Sequence, residues 1–149
     1  MGHLLIRPYN TSDTHPGEAN VRYNNELCQA VRAGNHIFLR GQVGSTFDGE
    51  IVGLGDPAAQ TEQAMQNVAQ LLEEAGASLN DIVKMTVYVT DWVHREPVYR
   101  IIGQRLRGVR YCSTGVIVSG LARPEWVVEI DVQAVMSDTE RQTKTSGEG

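Results

Sequence analysis

The sequence has few cysteines and no long apolar run. Cys28 and Cys112 are too few and too far apart for a disulfide scaffold or a CxxC motif, so we expect two reduced, buried thiols. The longest apolar run near the amino terminus covers residues 4–6, far short of a signal-peptide core or of the roughly 20 residues of a membrane span. We therefore predict a cytoplasmic protein without a membrane partner.

Basic charge is also scarce. The chain carries 13 Lys and Arg against 18 Asp and Glu, a net charge of −5, which argues against a nucleic-acid partner. Its four histidines lack the spacing of metal ligands, and the glycine-rich motifs that bind dinucleotides or phosphates are missing. We predict neither a metal site nor a cofactor.

The length of 149 residues predicts one globular domain. We assign residues 1–136 to this domain. Residues 137–149 contain no apolar side chain and predict a flexible carboxy-terminal tail. Residues 9–26 are rich in Asn, Ser, Thr, Gly and Pro, which predicts an irregular loop after a short first strand.

Two helices are predicted from apolar residues at i, i+3, i+4 and i+7 spacing. The first begins after Asp56, a good N-cap residue, with Pro57 in its first position. It ends at Gly76, which accepts a left-handed backbone. The second covers residues 92–107 and tolerates Pro97 only near its first turn.

Segments rich in β-formers predict the strands that follow the first one. They cover residues 27–31, 36–43, 81–91, 114–119 and 126–136. The order is strand, strand, strand, helix, strand, helix, strand, strand. This is an α+β pattern, and it predicts a sheet with both helices on one face.

Two charged residues interrupt apolar strands. Arg40 follows residues 37–39, and a charge in such a segment is rarely buried without a counter-ion or a ligand anion. Glu129 stands between Val128 and Ile130. Alternation alone favours an outward-facing Glu129, whereas a carboxylate aimed into a cleft is the functional alternative.

Several short motifs follow one another with a characteristic spacing between residues 27 and 135. They are Gly34-Asn35-x-Ile37 with Gly41-Gln42, Gln60-Thr61-x-Gln63-Ala64-x-x-Asn67-Val68, Ala75-Gly76-Ala77-Ser78-Leu79-x-Asp81-Ile82-Val83-Lys84, Val87-Tyr88-Val89-x-Asp91, Ser113-Thr114-x-Val116-x-Val118-x-x-Leu121 and Val128-Glu129-Ile130. Together they resemble the RidA family, also called YjgF or L-PSP. The resemblance implies a chorismate-mutase-like α+β domain, with a mixed β-sheet packed by two helices. It also implies a homotrimer with ligand clefts between neighbouring subunits.

The chemistry that the resemblance implies is hydrolysis of reactive enamines and imines to keto acids and ammonia. Glu129 matches a family glutamate that lies near the attacking water. Active members of the family carry an arginine directly before the S/T-x-V-x-V strand, and it binds the substrate carboxylate through two hydrogen bonds. This chain has Ser113 at that position, followed by Thr114, and it has Gly115 where the family has a cysteine.

Two further departures from the family lie near the implied cleft. Tyr99 replaces an asparagine on the second helix, and Arg40 replaces a serine that borders the ligand. We predict that Arg40 supplies the cation lost at Ser113 and that Glu129 positions or deprotonates water. We expect the other four residues to shape the ligand cleft: Tyr99, Ser113, Thr114 and Gly115.

The residues and the resemblance leave three functions open. The first is a hydrolase or deaminase acting on an imine, an enamine or a related small molecule. The second is a trimer that binds or senses a small carboxylate without turning it over, which the loss of the family arginine favours. Ribonuclease action ranks last, because the chain is acidic and has no basic stripe interleaved with aromatic residues.

Overall fold

Seven strands form one mixed sheet in the computed structural model, which describes residues 2–11 and 25–137. In chain order they are β1 Leu4–Asn10, β2 Glu26–Ala33, β3 His36–Leu39, β4 Gln42–Val43, β5 Ile82–Val89, β6 Cys112–Ile117 and β7 Val128–Val135. The spatial order is β1-β2-β3-β7-β5-β6, and β4 pairs with β7. β5 and β6 run parallel, and the other described pairs are antiparallel. The mixed sheet confirms the predicted fold class.

Two α-helices connect the strands, α1 Pro57–Glu74 and α2 Arg95–Arg105, and short 3₁₀ turns precede β5 and α2. At the start of α1, the Asp56 carboxylate accepts a hydrogen bond of 3.1 Å from the Ala59 backbone N–H. Gly76 follows the helix with a φ of +85°. The local signals for this helix are therefore confirmed. No helix in the described residues has the length and apolar character of a membrane span.

Both helices pack on the same face of the sheet, as predicted. The inward residues of α1 are all buried: Ala64, Met65, Val68, Leu71, Leu72 and Ala75. They join Val98 and Ile102 of α2 and the side chains of β5 and β7 that alternate toward the helices. We call this side of the sheet the helix face and the other side the open face. The open face exposes Phe38, His36 and Gln133.

The segment 36–43 is two strands and not the single strand that was predicted. Phe38 pairs with Gln133 on β7, whereas Gln42 pairs with Ile130. Four steps along one strand therefore match three steps along the other, and the extra residue breaks the ladder at Arg40 and Gly41. Alternation in the sequence could not show this bulge, because it depends on the partner strand.

Two smaller predictions were also wrong. β1 extends to Asn10, so Tyr9 and Asn10 belong to a strand rather than to the predicted loop, whose residues 12–24 lie outside the described residues. Cys112 is exposed and Cys28 is half-buried, whereas both were expected to be buried. Cys112 is exposed because β6 is an edge strand whose six residues are all exposed. The tail prediction concerns residues 137–149, of which all but the first lie outside the described residues.

Candidate active site

Glu129 lies at the start of β7, where the partner strand changes from β3 to β4. It pairs with Val43 on one side and with Tyr88 on the other, which places its side chain on the open face. A Cβ at Gly41 would come within 2.8 Å of the Glu129 Cδ. Only glycine therefore lets the carboxyl group pack onto the backbone at the bulge, and this contact leaves Glu129 half-buried.

Three influences act on the pKa of Glu129. Burial raises it above the usual value for glutamate, and this effect is the largest. The positive charge of Arg40 lowers it, and the negative charge of Asp131 raises it, and the net pKa is raised. A carboxyl group with a raised pKa is a stronger base than an ordinary one, which suits proton transfer with water.

The guanidinium of Arg40 lies over the ring of Tyr9, 5.4 Å from the ring centroid, and its positive charge acts on the Glu129 carboxyl group. The Arg40 backbone N–H donates a hydrogen bond of 2.8 Å to the Gln29 carbonyl oxygen. The side chain is exposed and borders a small cavity of about 100 Å³. Arg40 is thus a solvent-accessible cation at the cavity rim, close enough to Glu129 to influence its pKa.

Buried polar side chains form the walls of this cavity. The Gln42 amide donates to the Gln29 side chain at 3.0 Å and to the Arg40 carbonyl at 2.9 Å. The Trp126 indole N–H donates to the Ser45 hydroxyl oxygen at 2.8 Å. The lining also includes Phe47, Asn67 and Arg123. These satisfied hydrogen bonds hold the walls in one arrangement.

The loop that carries Trp126 is fixed by Gln60 of α1, which is fully buried. Its side-chain amide donates to the carbonyl oxygens of Gly53 and Glu125 at 3.1 and 2.9 Å. Its side-chain oxygen accepts from the Val127 N–H at 3.0 Å. One residue thereby connects the first helix to two loops at the end of the sheet.

The other four predicted site residues lie on two faces of the sheet. Thr114 pairs with Thr86 on the open face and accepts a hydrogen bond of 2.7 Å from the Lys84 ammonium group. Ser113 and Gly115 pair with Met85 and Val87, two core residues, and so belong to the helix face. Tyr99 of α2 lies directly over Gly115.

The structure therefore brings together Arg40 and Glu129 on the open face, and Tyr99 and Gly115 on the helix face. It does not bring these two pairs together within one copy of the chain. Sequence reasoning missed the cavity residues Gln42 and Trp126, and it missed Trp92 and Arg95, which lie next to each other beside the predicted residue Tyr99. The spacing of Trp92, Arg95 and Tyr99, three and then four residues apart, is a signal that places all three on one helical side.

The comparisons with known proteins agree on one family. The family model described as Endoribonuclease L-PSP matches residues 18–136. A RutC family protein of Pyrococcus abyssi is 52% identical over 64 residues, which are 42% of this chain. The chain spans about half the length of that relative. The 3-aminoacrylate deaminase RutC of Acinetobacter baylyi is 27% identical over 104 residues, covering 68% of this chain and 79% of the relative.

Solved structures show the same fold. Rv2704 of Mycobacterium tuberculosis, a member of the YjgF/YER057c/UK114 family, matches with a TM-score of 0.70 and 28% identity, covering 91% of this chain and 100% of the other. RidA from a Psychrobacter species matches with a TM-score of 0.69 and 28% identity, covering 85% and 98%. The chain therefore belongs to the L-PSP family, also called the RidA or YjgF family.

Proposed function

We propose that this protein hydrolyses a small imine or enamine to a carbonyl compound and ammonia. The observation that carries the proposal is the half-buried Glu129 carboxyl group, whose pKa is raised, together with the accessible cation of Arg40, which is close enough to act on that pKa. The first group suits proton transfer with water, and the second suits the binding of an anionic substrate. The 3-aminoacrylate deaminase among the relatives supports the reaction class.

The proposed reaction needs one water molecule and no cofactor. Glu129 accepts a proton from water as the water oxygen forms a bond to the imine carbon. The electron pair of the C=N bond moves to nitrogen, which takes the proton from Glu129 to give an amino alcohol. Glu129 then transfers the hydroxyl proton of this intermediate to the amino nitrogen, the C–N bond breaks, and ammonia leaves as the carbonyl forms. An enamine enters the same sequence after protonation at carbon gives the imine.

We further propose that the ligand cleft forms between copies of the chain in a homotrimer. Large apolar side chains are exposed on the open face, including Leu5, Leu27 and Phe38, and β6 is an exposed edge strand. Exposed apolar side chains and an uncovered strand edge are typical of surfaces that contact another protein. A second copy would also allow residues of the helix face to approach Arg40 and Glu129.

The test is ammonia release from a carboxylated imine generated in the assay mixture. We expect wild type to exceed the uncatalysed rate and Glu129→Gln to lower kcat by about 10²- to 10⁴-fold, because a positioned base is lost. Arg40→Ala should mainly raise KM. Glu125→Gln and Arg107→Ala, which change exposed residues, are the matched controls. Wild-type kinetics in Glu129→Gln would refute the proposed role of Glu129.

Binding without turnover is the second candidate function. It is favoured by Ser113, which places no cation on β6 where the family resemblance implies one. In that case wild type releases no ammonia from any small imine or enamine, while a carboxylate ligand still raises the melting temperature. Ribonuclease action remains the least favoured function, because the net charge of −5 disfavours RNA binding.

A further inference from the structure

A second cationic group lies on the helix face, at the edge of the sheet. A Cβ built on Gly115 would collide with the Tyr99 hydroxyl oxygen and lie 3.2 Å from the Arg95 Nη1. The hydroxyl and the guanidinium therefore both approach the same point above the Gly115 backbone. Any larger residue at this position would push the two groups away.

Two aromatic rings hold the Arg95 guanidinium in place. Its central carbon lies 5.3 Å from the centroid of the Trp92 ring and 5.1 Å from that of Tyr99. Both distances are within the range of a cation–π contact. These contacts use the faces of the rings and leave the N–H groups of the guanidinium available to an acceptor.

No carboxylate in the described part of the chain forms an ion pair with Arg95. Its neighbour Glu96 pairs instead with Arg100, at 3.4 Å. Three other arginines on the helix face or at its edge are occupied: Arg7 by Glu74, Arg105 by Glu62, and Arg32 by backbone carbonyls. Arg95 is thus an oriented cation whose hydrogen-bond donors have no acidic partner.

We propose that Arg95 and Tyr99 bind the carboxylate of a small planar ligand over Gly115, with the Trp92 ring packing against the ligand's unsaturated part. The guanidinium offers two parallel N–H donors to the carboxylate oxygens, and the Tyr99 hydroxyl offers a third donor. The Trp92 side chain is 70% exposed, so its outer face is accessible to a ligand. The inference rests on the proposed function in one respect, because we take the bound carboxylate to be the carboxylate group of the proposed substrate.

The first test is calorimetric titration of the full chain with benzoate, a planar carboxylate, and with benzamide, its neutral analogue. Arg95→Ala should weaken benzoate binding by at least about tenfold, because charge-assisted hydrogen bonds are lost. The benzoate affinity of Arg95→Lys should lie between those of wild type and Arg95→Ala. Benzamide should bind to wild type more weakly than benzoate does. It should bind to wild type and to Arg95→Ala with equal affinity. Arg100→Ala, which changes an arginine five residues along the same helix that is already paired with Glu96, is the matched control.

A second measurement separates a ligand site from a structural role. Gly115→Cys should displace Tyr99 and Arg95 and reduce benzoate affinity as strongly as Arg95→Ala, while circular dichroism shows an unchanged fold. Benzoate affinity that is the same in wild type and Arg95→Ala would overturn the inference. A change of particle mass in Arg95→Ala without a change of benzoate affinity would also overturn it, and would assign Arg95 to a contact between copies.

Failure of this inference can be distinguished from failure of the proposed function. Ammonia release with an unchanged KM in Arg95→Ala would leave the proposed function in place and remove Arg95 from it. Arg95-dependent benzoate binding by a wild type that releases no ammonia would support the inference and reject the proposed catalysis.

Discussion

Glu129 illustrates how a single residue acquires its chemistry from its neighbours. The alternation of apolar and polar residues did not determine whether Glu129 is exposed to solvent. A residue on the open face of the sheet is exposed unless another part of the protein covers it. Here Gly41 approaches closely enough to shield part of the carboxyl group, while Arg40 and Asp131 act on its pKa in opposite directions. The approach of Gly41 depends on the bulge in the sheet, which is a tertiary feature.

The raised pKa of Glu129 predicts a pH-dependent difference in stability. Because the folded pKa lies above the unfolded value of about 4.3, the native state binds the proton more tightly. The stability contributed by this group is full below the unfolded pKa and is lost as the pH rises through the folded pKa. The side chain introduced by Glu129→Gln cannot ionise. The melting temperature of this variant minus that of wild type should therefore increase between pH 4 and pH 7. Thermal unfolding across this range measures the difference, with Glu125→Gln as the control. A difference that shrinks toward pH 7 would contradict the assigned environment of Glu129.

The group formed by Trp92, Arg95 and Tyr99 shows what could and could not be predicted at this scale. The spacing of these residues already places them on one side of a helical turn. The position of Arg95 and Tyr99 over Gly115 depends on how the second helix packs against β6, which pairs in parallel with β5, and no short segment of sequence contains this information. The approach of the Arg95 guanidinium to β6 therefore required the structure.

At the scale of elements, the helices were predicted better than the strands. The start and end of α1 depend on Asp56, Pro57 and Gly76, which act on the backbone next to them. The separation of β3 from β4 depends on how two distant segments pair with β7. Local signals were therefore sufficient to predict α1. They were not sufficient to predict the bulge at Arg40 and Gly41, where the candidate site lies.

Gln60 provides a direct test of how the elements around the cavity are connected. Gln60→Ala removes three hydrogen bonds and leaves backbone groups of Gly53, Glu125 and Val127 without that partner. We expect a loss of about 2 to 4 kcal/mol in the free energy of unfolding, measured with urea. Gln66→Ala changes an exposed residue of the same helix and should stay within about 0.5 kcal/mol of wild type. Equal stability of the two variants would show that Gln60 does not hold these loops.

At the scale of the whole molecule, the candidate site residues divide between the two faces of one sheet. Arg40 and Glu129 lie on the open face, whereas Arg95, Tyr99 and Gly115 lie on the helix face. One small ligand cannot contact both groups in a single copy, because the sheet separates them. Use of both groups on one substrate therefore requires that one copy supplies Glu129 and its neighbour supplies Arg95. Composition and motifs carried no information on this division, since it depends on which way each strand residue faces.

The most direct test of a site shared between copies is the activity of mixed assemblies. Chains carrying Glu129→Gln and chains carrying Arg95→Ala are co-expressed with different tags, and assemblies containing both are purified. Ammonia release is measured at a substrate concentration below KM, after light scattering has shown assembly into three copies. Each variant by itself should be nearly inactive. Purified assemblies that contain both variants should restore about a third of the wild-type activity, because one of the three interfaces in each such ring joins an intact Glu129 to an intact Arg95. Mixed assemblies no more active than the separate variants would contradict a shared site.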